Sequence, residues 1–218
     1  DPSLSARLNI GIVGDGPVGK AFAQALGAAG HEIIQRKSIP DLLEFADLVV
    51  FAIPDEQLEL TISGITEGKL WKPGQMVAHT SGKHGYSILN PAAQAGSIPL
   101  AIHPAMKFTG SSSDLARIRE SYFAVSAPSV ALPIAQALVI EMGAEPITIS
   151  EENRAQYFEA ISVASSFSSM IVNQSIGLLE EIGIAPAASV LAPLIRSSVE
   201  VALSQGHQPI DPTELLDK

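Results

Sequence analysis

Cysteine is absent from this chain of 218 residues, and charged residues of both signs are few. Without cysteine, the protein can have no disulfide, no thiolate nucleophile and no cysteine-ligated metal site. The 13 Lys and Arg residues are outnumbered by 23 Asp and Glu residues, which gives a formal net charge of −10. Because this charge repels phosphate groups, we expect neither nucleic acid nor an anionic membrane as a partner.

Apolar residues make up 46% of the chain, enough for a globular protein with one large core, or with one large and one small core. The opening Asp1-Pro2-Ser3 lacks the basic and apolar regions of a secretory signal, so we expect a cytoplasmic protein. One uncharged stretch, 160–179, is long enough to span a bilayer. It contains six serines among other polar residues, so we interpret it as a buried helix.

The most informative motif is a glycine-rich turn between an apolar run at Ile10–Val13 and an alanine-rich helical pattern. In a dinucleotide site the first glycine of such a turn makes the bend, the second admits the pyrophosphate, and the third lets the helix pack on the strand. We therefore predict a site for NADP(H), with NAD(H) as the other candidate. Its predicted residues are Gly14, Asp15, Gly16, Pro17, Val18 and Gly19. An ordinary glycine-rich turn in another doubly wound protein is the alternative.

Short apolar runs alternate with helical patterns over the first 150 residues. This alternation predicts an α/β fold, a Rossmann-type doubly wound parallel sheet. From Ser150 onward the pattern is helical, over about 150–182 and 186–205. We therefore predict a nucleotide-binding domain over 1–150 and a smaller all-α domain over 151–218. The predicted strands are 9–13, 31–34, 48–53, 76–79, 99–103, 122–126 and 146–149, and the earlier helices are 18–29, 56–65 and 133–142.

The connection between the second and third predicted strands is shorter than this fold requires. A crossover between parallel strands takes a dozen or more residues, usually as a helix. Only a handful of residues separate Ile34 from Pro40, so we expect Ile34 and Gln35 not to be consecutive in the natural protein. The segment 35–38 contains the basic pair Arg36-Lys37. It is either a site for a ribose 2′-phosphate or part of a turn much further along the natural chain.

Polar residues follow three of the predicted strands, at the edge where ligands bind in open α/β sheets. They are Pro54-Asp55 after Ile53, Thr80-Ser81-Gly82, and His103-Pro104. We predict that Ile53, Pro54, Thr80 and Ser81 contact the cofactor. The scattered histidines form no cluster with carboxylates, so we predict no metal site.

Hydride transfer from a nicotinamide needs an oriented carbonyl or imine and a group that protonates it. His103 is the candidate general acid, and its alternative role is to shape the turn at Pro104. Ser81 hydrogen-bonds the substrate or the nicotinamide amide, or else is a turn serine. Lys107 binds a substrate carboxylate, or else is a solvated surface lysine.

Several motifs occur in an order that is similar to one family. After the glycine motif come Ala52-Ile53-Pro54-Asp55, His79-Thr80-Ser81-Gly82, His103-Pro104-Ala105-Met106-Lys107-Phe108 and Arg154-Ala155-Gln156-Tyr157. They resemble the Rossmann-like oxidoreductases that carry a helical C-terminal domain of uncharacterised function, relatives of ketopantoate reductase, pyrroline-5-carboxylate reductase and the deazaflavin-dependent NADP oxidoreductases. The resemblance covers nearly the whole chain. It implies a 6-phosphogluconate-dehydrogenase-like fold, NADP(H), a small polar substrate and a homodimer built through the C-terminal helices.

The function that we expect from these features is an NADP(H)-dependent oxidoreductase of a small ketone or imine acid, similar to ketopantoate reductase. The chain departs from that family at Pro17, where a basic residue is frequent, at Phe158, where a histidine is frequent, and at Ser166, where an asparagine is frequent. Pro17 implies weaker phosphate contacts, and Phe158 and Ser166 favour the alternative, a dinucleotide-binding sensor or an inactive paralogue without turnover. The C-terminal domain of that family is usually longer, so we do not expect Lys218 to be the biological end.

Overall fold

The computed structural model describes residues 6–35 and 38–209. These residues form a sheet of seven strands with helices on both faces, followed by two long helices. The strands are β1 (Asn9–Val13), β2 (Glu32–Ile33), β3 (Leu48–Phe51), β4 (Met76–His79), β5 (Ile98–Pro104), β6 (Tyr122–Ser126) and β7 (Glu145–Thr148). The helices are α1 (Pro17–Ala28), α2 (Ile39–Phe45), α3 (Asp55–Glu67), α4 (Asn90–Gln94), α5 (Ser113–Ile118), α6 (Leu132–Glu141), α7 (Arg154–Glu181) and α8 (Ala187–Gln205). Short 3-10 helices cover Tyr86–Leu89 and Glu151–Asn153.

The strand order is β2-β1-β3-β4-β5-β6-β7, and the first five strands in this order are parallel. This confirms the predicted Rossmann-type α/β fold, with one correction. The strands β6 and β7 run antiparallel to the rest, because β5 and β6 pair in opposite directions. The chain between them forms only the six-residue helix α5, and the N–H of Ala105 donates to the carbonyl of Tyr122, so the strands join as direct neighbours.

Both faces of the sheet are buried, as the continuous apolar run of β3 shows. Its residues alternate between two cores: Leu48 and Val50 face one, and Val49 and Phe51 face the other. Helices α1 and α6 supply the first core, and α3 supplies part of the second. Burial of each large apolar side chain stabilises the fold by about 1.5–3 kcal/mol, so the sheet is fixed from both sides.

The crossover from β2 to β3 is the seven-residue helix α2, which the sequence analysis did not predict. Its start signals are present, since the hydroxyl of Ser38 accepts a hydrogen bond from the N–H of Asp41 and Pro40 lies in the first turn. In the part of the chain that the structure describes, β2 is the edge strand, and no further strand pairs with its open side. With α2 as the crossover, the sheet forms without a further segment between Ile34 and Gln35. That segment stays a prediction, and Arg36-Lys37 lies outside the described residues.

The chain divides into two compact units, Asp1–Ile161 and Ser162–Lys218. The predicted boundary after residue 150 falls just before the 3-10 helix that leads into α7, and it stays a prediction. The predicted long helices are present as α7 and α8. The interpretation of 160–179 as a buried helix is wrong for the single chain, because Val163, Met170 and Leu178 are each more than half exposed. A pair of helices has too little interior to cover an apolar stretch on all sides.

Helix α8 is also largely exposed. Among the described residues it is the one helix long and apolar enough to cross a bilayer, with a mean hydropathy of 1.3, by length and composition alone. A single helix of this kind is weak evidence for a membrane span. The cytoplasmic location stays a prediction.

Candidate functional site

The turn after β1 is built on two glycines that have steric reasons to be glycine. Gly14 has a φ of +126°, and a side chain there would collide with the carbonyl oxygen of Ala52. A Cβ atom at Gly19 would lie 2.6 Å from the carbonyl oxygen of Gly14. These positions match the first and third glycines of the predicted motif, which make the bend and bring α1 against the strand.

Gly16 differs from these two, because the protein itself does not require glycine there. Its φ of −78° is open to any residue, and a Cβ atom would meet nothing within 4 Å. The N–H of Lys20 donates to the carbonyl of Gly16, which leaves the amides of Val18 and Gly19 without a partner inside the helix. Free space in front of unpaired helix amides is the arrangement that binds a pyrophosphate. Pro17 adds no N–H donor.

Two clefts flank this turn within the first unit. One, of about 470 Å³, lies between the turn and the end of β2. Its lining includes Gly14, Asp15, Gly19, Lys20 and Gln35. In NAD-binding Rossmann domains an acidic residue after the second strand binds the ribose 2′-hydroxyl. Here the described residue at that place is the neutral Gln35.

The other cleft, of about 420 Å³, lies at the carboxyl ends of β1, β3, β4 and β5. A volume of this size is within the range of small-ligand sites. It brings together eight of the predicted site residues. Its full lining is Gly16, Pro17, Val18, Ala52, Ile53, Pro54, Asp55, Thr80, Ser81, Gly82, His103 and Phe158. We call this space the β5 cleft.

His103 lines the β5 cleft and is held by a side chain rather than by the backbone. Its Nδ1 lies 2.6 Å from the hydroxyl of Tyr157, and the two rings meet edge to face. Burial lowers the pKa of His103 to about 4, and the positive charge of Arg154 lowers it further than burial alone. The imidazole is therefore neutral at pH 7. A neutral imidazole keeps one N–H to donate, and the role of His103 as a general acid stays a prediction.

Ser81 adopts the turn arrangement that was its alternative role. Its hydroxyl oxygen accepts hydrogen bonds from the N–H groups of Lys83, at 3.1 Å, and His84, at 3.3 Å. Ser81 still lines the β5 cleft, and its hydroxyl proton is left to donate. Lys107 is exposed after β5 and is not among the residues that line the cleft, so the structure does not place it for binding a substrate carboxylate there.

His79 is fully buried under the loop that carries Ser81. Its Nδ1 accepts a hydrogen bond from the N–H of Ser81, so Nε2 carries the proton and donates to the carbonyl of Gly85 at 2.7 Å. Burial lowers the pKa of His79 to about 4. Glu151 holds the far end of this loop, accepting hydrogen bonds from the N–H of Tyr86 and the hydroxyl of Ser87. The loop is thus fixed from below by a neutral histidine.

The sequence analysis named Arg154 only as part of a family motif and assigned it no role in the site. It is 3% exposed, and it donates to the carbonyl of Ser81 and to the hydroxyl of Ser126. Its guanidinium lies 5.3 Å from the centre of the Tyr157 ring, and its Nε has no hydrogen-bond partner. A positive charge in the first turn of a helix is unfavourable because of the helix dipole. This unusual placement of Arg154 was the signal in the sequence that could have marked it as a site residue.

Among the described residues, the β5 cleft is lined by one acidic side chain, Asp55 at the start of α3, and by no Lys or Arg. Ser166 lies in the second unit, where it is exposed. Within the described ranges no group of three or more His, Asp or Glu side chains is placed to hold a metal ion.

Comparisons with known proteins match two parts of the chain. Residues 33–104 match the model of the Rossmann-like domain, and residues 121–210 match the model of a domain of unknown function, DUF2520. This is the pairing that the sequence motifs predicted, and it confirms the family resemblance. No curated protein matches the chain.

Solved structures with a similar fold are found at low sequence identity. A protein from Thermotoga maritima has a TM-score of 0.66 and 18% identity over 88% of this chain and 77% of its own. An imine reductase from Streptomyces aurantiacus has a TM-score of 0.66 and 17% identity, over 88% and 73%. A pyrroline carboxylate reductase from Plasmodium falciparum, solved with NADP bound, has a TM-score of 0.65 and 13% identity, over 93% and 80%.

The two buried histidines make the stability of the protein depend on pH. Both have a pKa near 4 in the folded state and near 6.5 when unfolded, so acid protonates the unfolded chain first. The free energy of unfolding should therefore be highest above pH 6.5 and fall between pH 6.5 and 4, by about 1.4 kcal/mol per pH unit for each histidine. Urea unfolding at a series of pH values measures this slope.

The variant His79→Asn should show a shallower slope, and the exposed His207→Gln should keep the wild-type slope. An unchanged slope in His79→Asn would show that His79 is not held neutral by burial.

Proposed function

We propose that this chain, which joins a Rossmann-like domain to the domain of unknown function DUF2520, is an NADP(H)-dependent oxidoreductase. The observation that carries the proposal is the β5 cleft. There the open backbone at Gly16 and the unpaired amides of α1 lie beside His103 and Ser81, at the edge of the sheet where Rossmann domains bind dinucleotides. The similar folds of an imine reductase and an NADP-bound pyrroline carboxylate reductase support the same class.

The residues present fit a dinucleotide. The bend at Gly14 and the amides of Val18 and Gly19 would hold the pyrophosphate, because they combine open space with unpaired donors. The cleft beside Gln35 would take the adenosine half, and the β5 cleft the nicotinamide half. The cofactor would supply a hydride. Gln35 in place of an acid favours NADP(H), since no carboxylate there repels a 2′-phosphate.

For the substrate we propose a small ketone or imine. The neutral His103 and the hydroxyl of Ser81 are hydrogen-bond donors at the β5 cleft, and a carbonyl oxygen or an imine nitrogen is the acceptor that they suit. An acid substrate such as ketopantoate finds less support, because the cleft lining supplies Asp55 and no cation to pair with a carboxylate. We therefore propose a substrate that places its carbonyl or imine in the β5 cleft without a carboxylate beside it.

A protein that binds the dinucleotide without turnover is the second candidate, and Phe158 favours it. This residue contributes an apolar ring to the cleft lining, at a position where a histidine is frequent in the family that the sequence resembles. Turnover separates the two candidates. NADPH consumption with a panel of 2-oxo acids, ketones and cyclic imines supports the oxidoreductase, and NADPH binding without consumption across the panel supports the sensor.

Binding of NADPH should depend on the free space at Gly16. We expect Gly16→Val to fold with the wild-type melting temperature, because its φ and surroundings accept a side chain. The same variant should lose NADPH binding in calorimetry, since the valine occupies the approach to the pyrophosphate. Gly64→Val is the matched control, at an exposed helix position with nothing within 4 Å of a Cβ atom, and it should bind like wild type. Equal affinity in both variants would contradict the proposed site.

Turnover should depend on the donor at His103. We expect His103→Ala to keep NADPH affinity and to lose about 10²–10³-fold in kcat, the usual effect of removing one donor that stabilises a developing negative charge. His207→Gln, at an exposed position, is the control and should keep wild-type kcat. A kcat within twofold of wild type in His103→Ala would show that His103 does not act on the substrate.

We also propose that the chain forms a homodimer through its C-terminal helices. The support comes from exposed apolar side chains that repeat about every seven residues, the spacing of one helix face. They include Val163 and Met170 on α7, and Leu194 and Val201 on α8. An exposed apolar surface of this kind is typical of a protein interface, and a second copy offers the same surface.

One substitution on α8 tests the dimer. Leu194 is 65% exposed, so we expect the variant Leu194→Lys to fold as a single chain. The added charge should prevent two copies from associating. Light scattering at micromolar concentration should give twice the chain mass for wild type and the chain mass for Leu194→Lys. Gln205→Lys adds the same charge at the end of the same helix and should remain dimeric. A wild-type mass of one chain would refute the proposal.

A further inference from the structure

We propose that Tyr157 is a positioning residue, which holds the His103 ring with its single proton on Nε2 and thereby presents a hydrogen-bond donor in the β5 cleft. The claim about the ring rests on its hydrogen bond to Tyr157 and on the charge of Arg154 beside the phenol, and it does not depend on the proposed function. The claim that this donor serves the substrate rests on the proposed function.

The direction of the hydrogen bond between Tyr157 and His103 follows from the groups around it. Burial raises the pKa of Tyr157 to about 12, so the phenol keeps its proton at neutral pH. The guanidinium of Arg154 lies 5.3 Å from the centre of the phenol ring, and a nearby positive charge makes a phenol a better donor. We therefore assign the hydroxyl as the donor and Nδ1 as the acceptor across the 2.6 Å between them. A neutral imidazole with Nδ1 as acceptor carries its proton on Nε2.

Gly82 packs against the face of the His103 ring, over Nε2. A Cβ atom at Gly82 would lie 2.9 Å from Nε2 and 3.1 Å from Cδ2 and Cε1 of the imidazole. Both Gly82 and His103 line the β5 cleft, so the Nε2 end of the ring lies beside backbone that forms the wall of the cleft. The ring is thus held by the Tyr157 hydroxyl at Nδ1 and by the bare backbone of Gly82 against its face.

Arg154 keeps this arrangement in one charge state. It is buried, it has no carboxylate among its hydrogen-bond partners, and it donates to the carbonyl of Ser81 in the neighbouring loop. A second positive charge on His103 would lie close to this cation in a poorly solvated region, and Glu151 and Asp55 offset the cost only in part. Arg154 therefore favours the neutral imidazole and fixes the phenol ring that orients it.

Nitrogen-15 NMR of the histidine side chains tests the proposal directly. The chain has five histidines, and His103→Gln identifies the signal of His103. In wild type at pH 7 we expect an unprotonated Nδ1 and a protonated Nε2 for His103. In Tyr157→Phe, which keeps the ring and removes only the hydroxyl, we expect the His103 signals to move toward a mixture of the two tautomers. Tyr122→Phe, at an exposed position on β6, should leave these signals unchanged.

Kinetics supply the second readout. We expect Tyr157→Phe to lower kcat about three- to tenfold, the effect of losing one hydrogen bond, with an unchanged Kd for NADPH. A protonated Nδ1 in wild type, or identical His103 signals in wild type and Tyr157→Phe, overturns the proposal. Absence of NADPH binding in wild type overturns the proposed function instead, and the NMR result still decides the role of Tyr157.

Discussion

Burial of the parallel strands on both faces is the constraint on which the rest of this structure depends. Because β3 and its neighbours pack apolar side chains into two cores, the direction and the register of these strands in the sheet are fixed. Their carboxyl ends then fall at one edge, and the residues that follow them meet there. Gly14 completes the edge, since its positive φ and lack of a side chain let the turn lie against the backbone of Ala52.

The functional edge is polar, and its two buried histidines are neutral. His79 and His103 are both uncharged near pH 7, and each has a hydrogen-bond partner on Nδ1. The buried charge belongs to Arg154, which donates to the loop of Ser81 and to Ser126. A buried cation beside neutral imidazoles gives a site whose imidazole donors are oriented without being charged, which suits hydrogen bonding to a carbonyl or an imine.

Much of this arrangement could be predicted from the sequence, because local patterns carry it. The glycine turn, the buried strands and the positions after Ile53, His79 and Ile102 follow from spacing and apolar runs, and the structure gathers those residues in one cleft. The pKa of His103 could not be predicted, since it depends on burial and on Arg154, which is far away in sequence. The antiparallel β6 was missed because no local pattern records strand direction. Helix α2 was missed because so short a segment carries a weak periodic signal.

The central claim is that a dinucleotide lies across the glycine turn with its reactive end beside His103. A crystal structure of the protein with NADP⁺ tests this most directly. We expect the pyrophosphate in front of Gly16 and the amides of Val18 and Gly19, and the nicotinamide in the β5 cleft with Nε2 of His103 facing it. A dinucleotide bound elsewhere, or a His103 ring turned away from the nicotinamide, would contradict it.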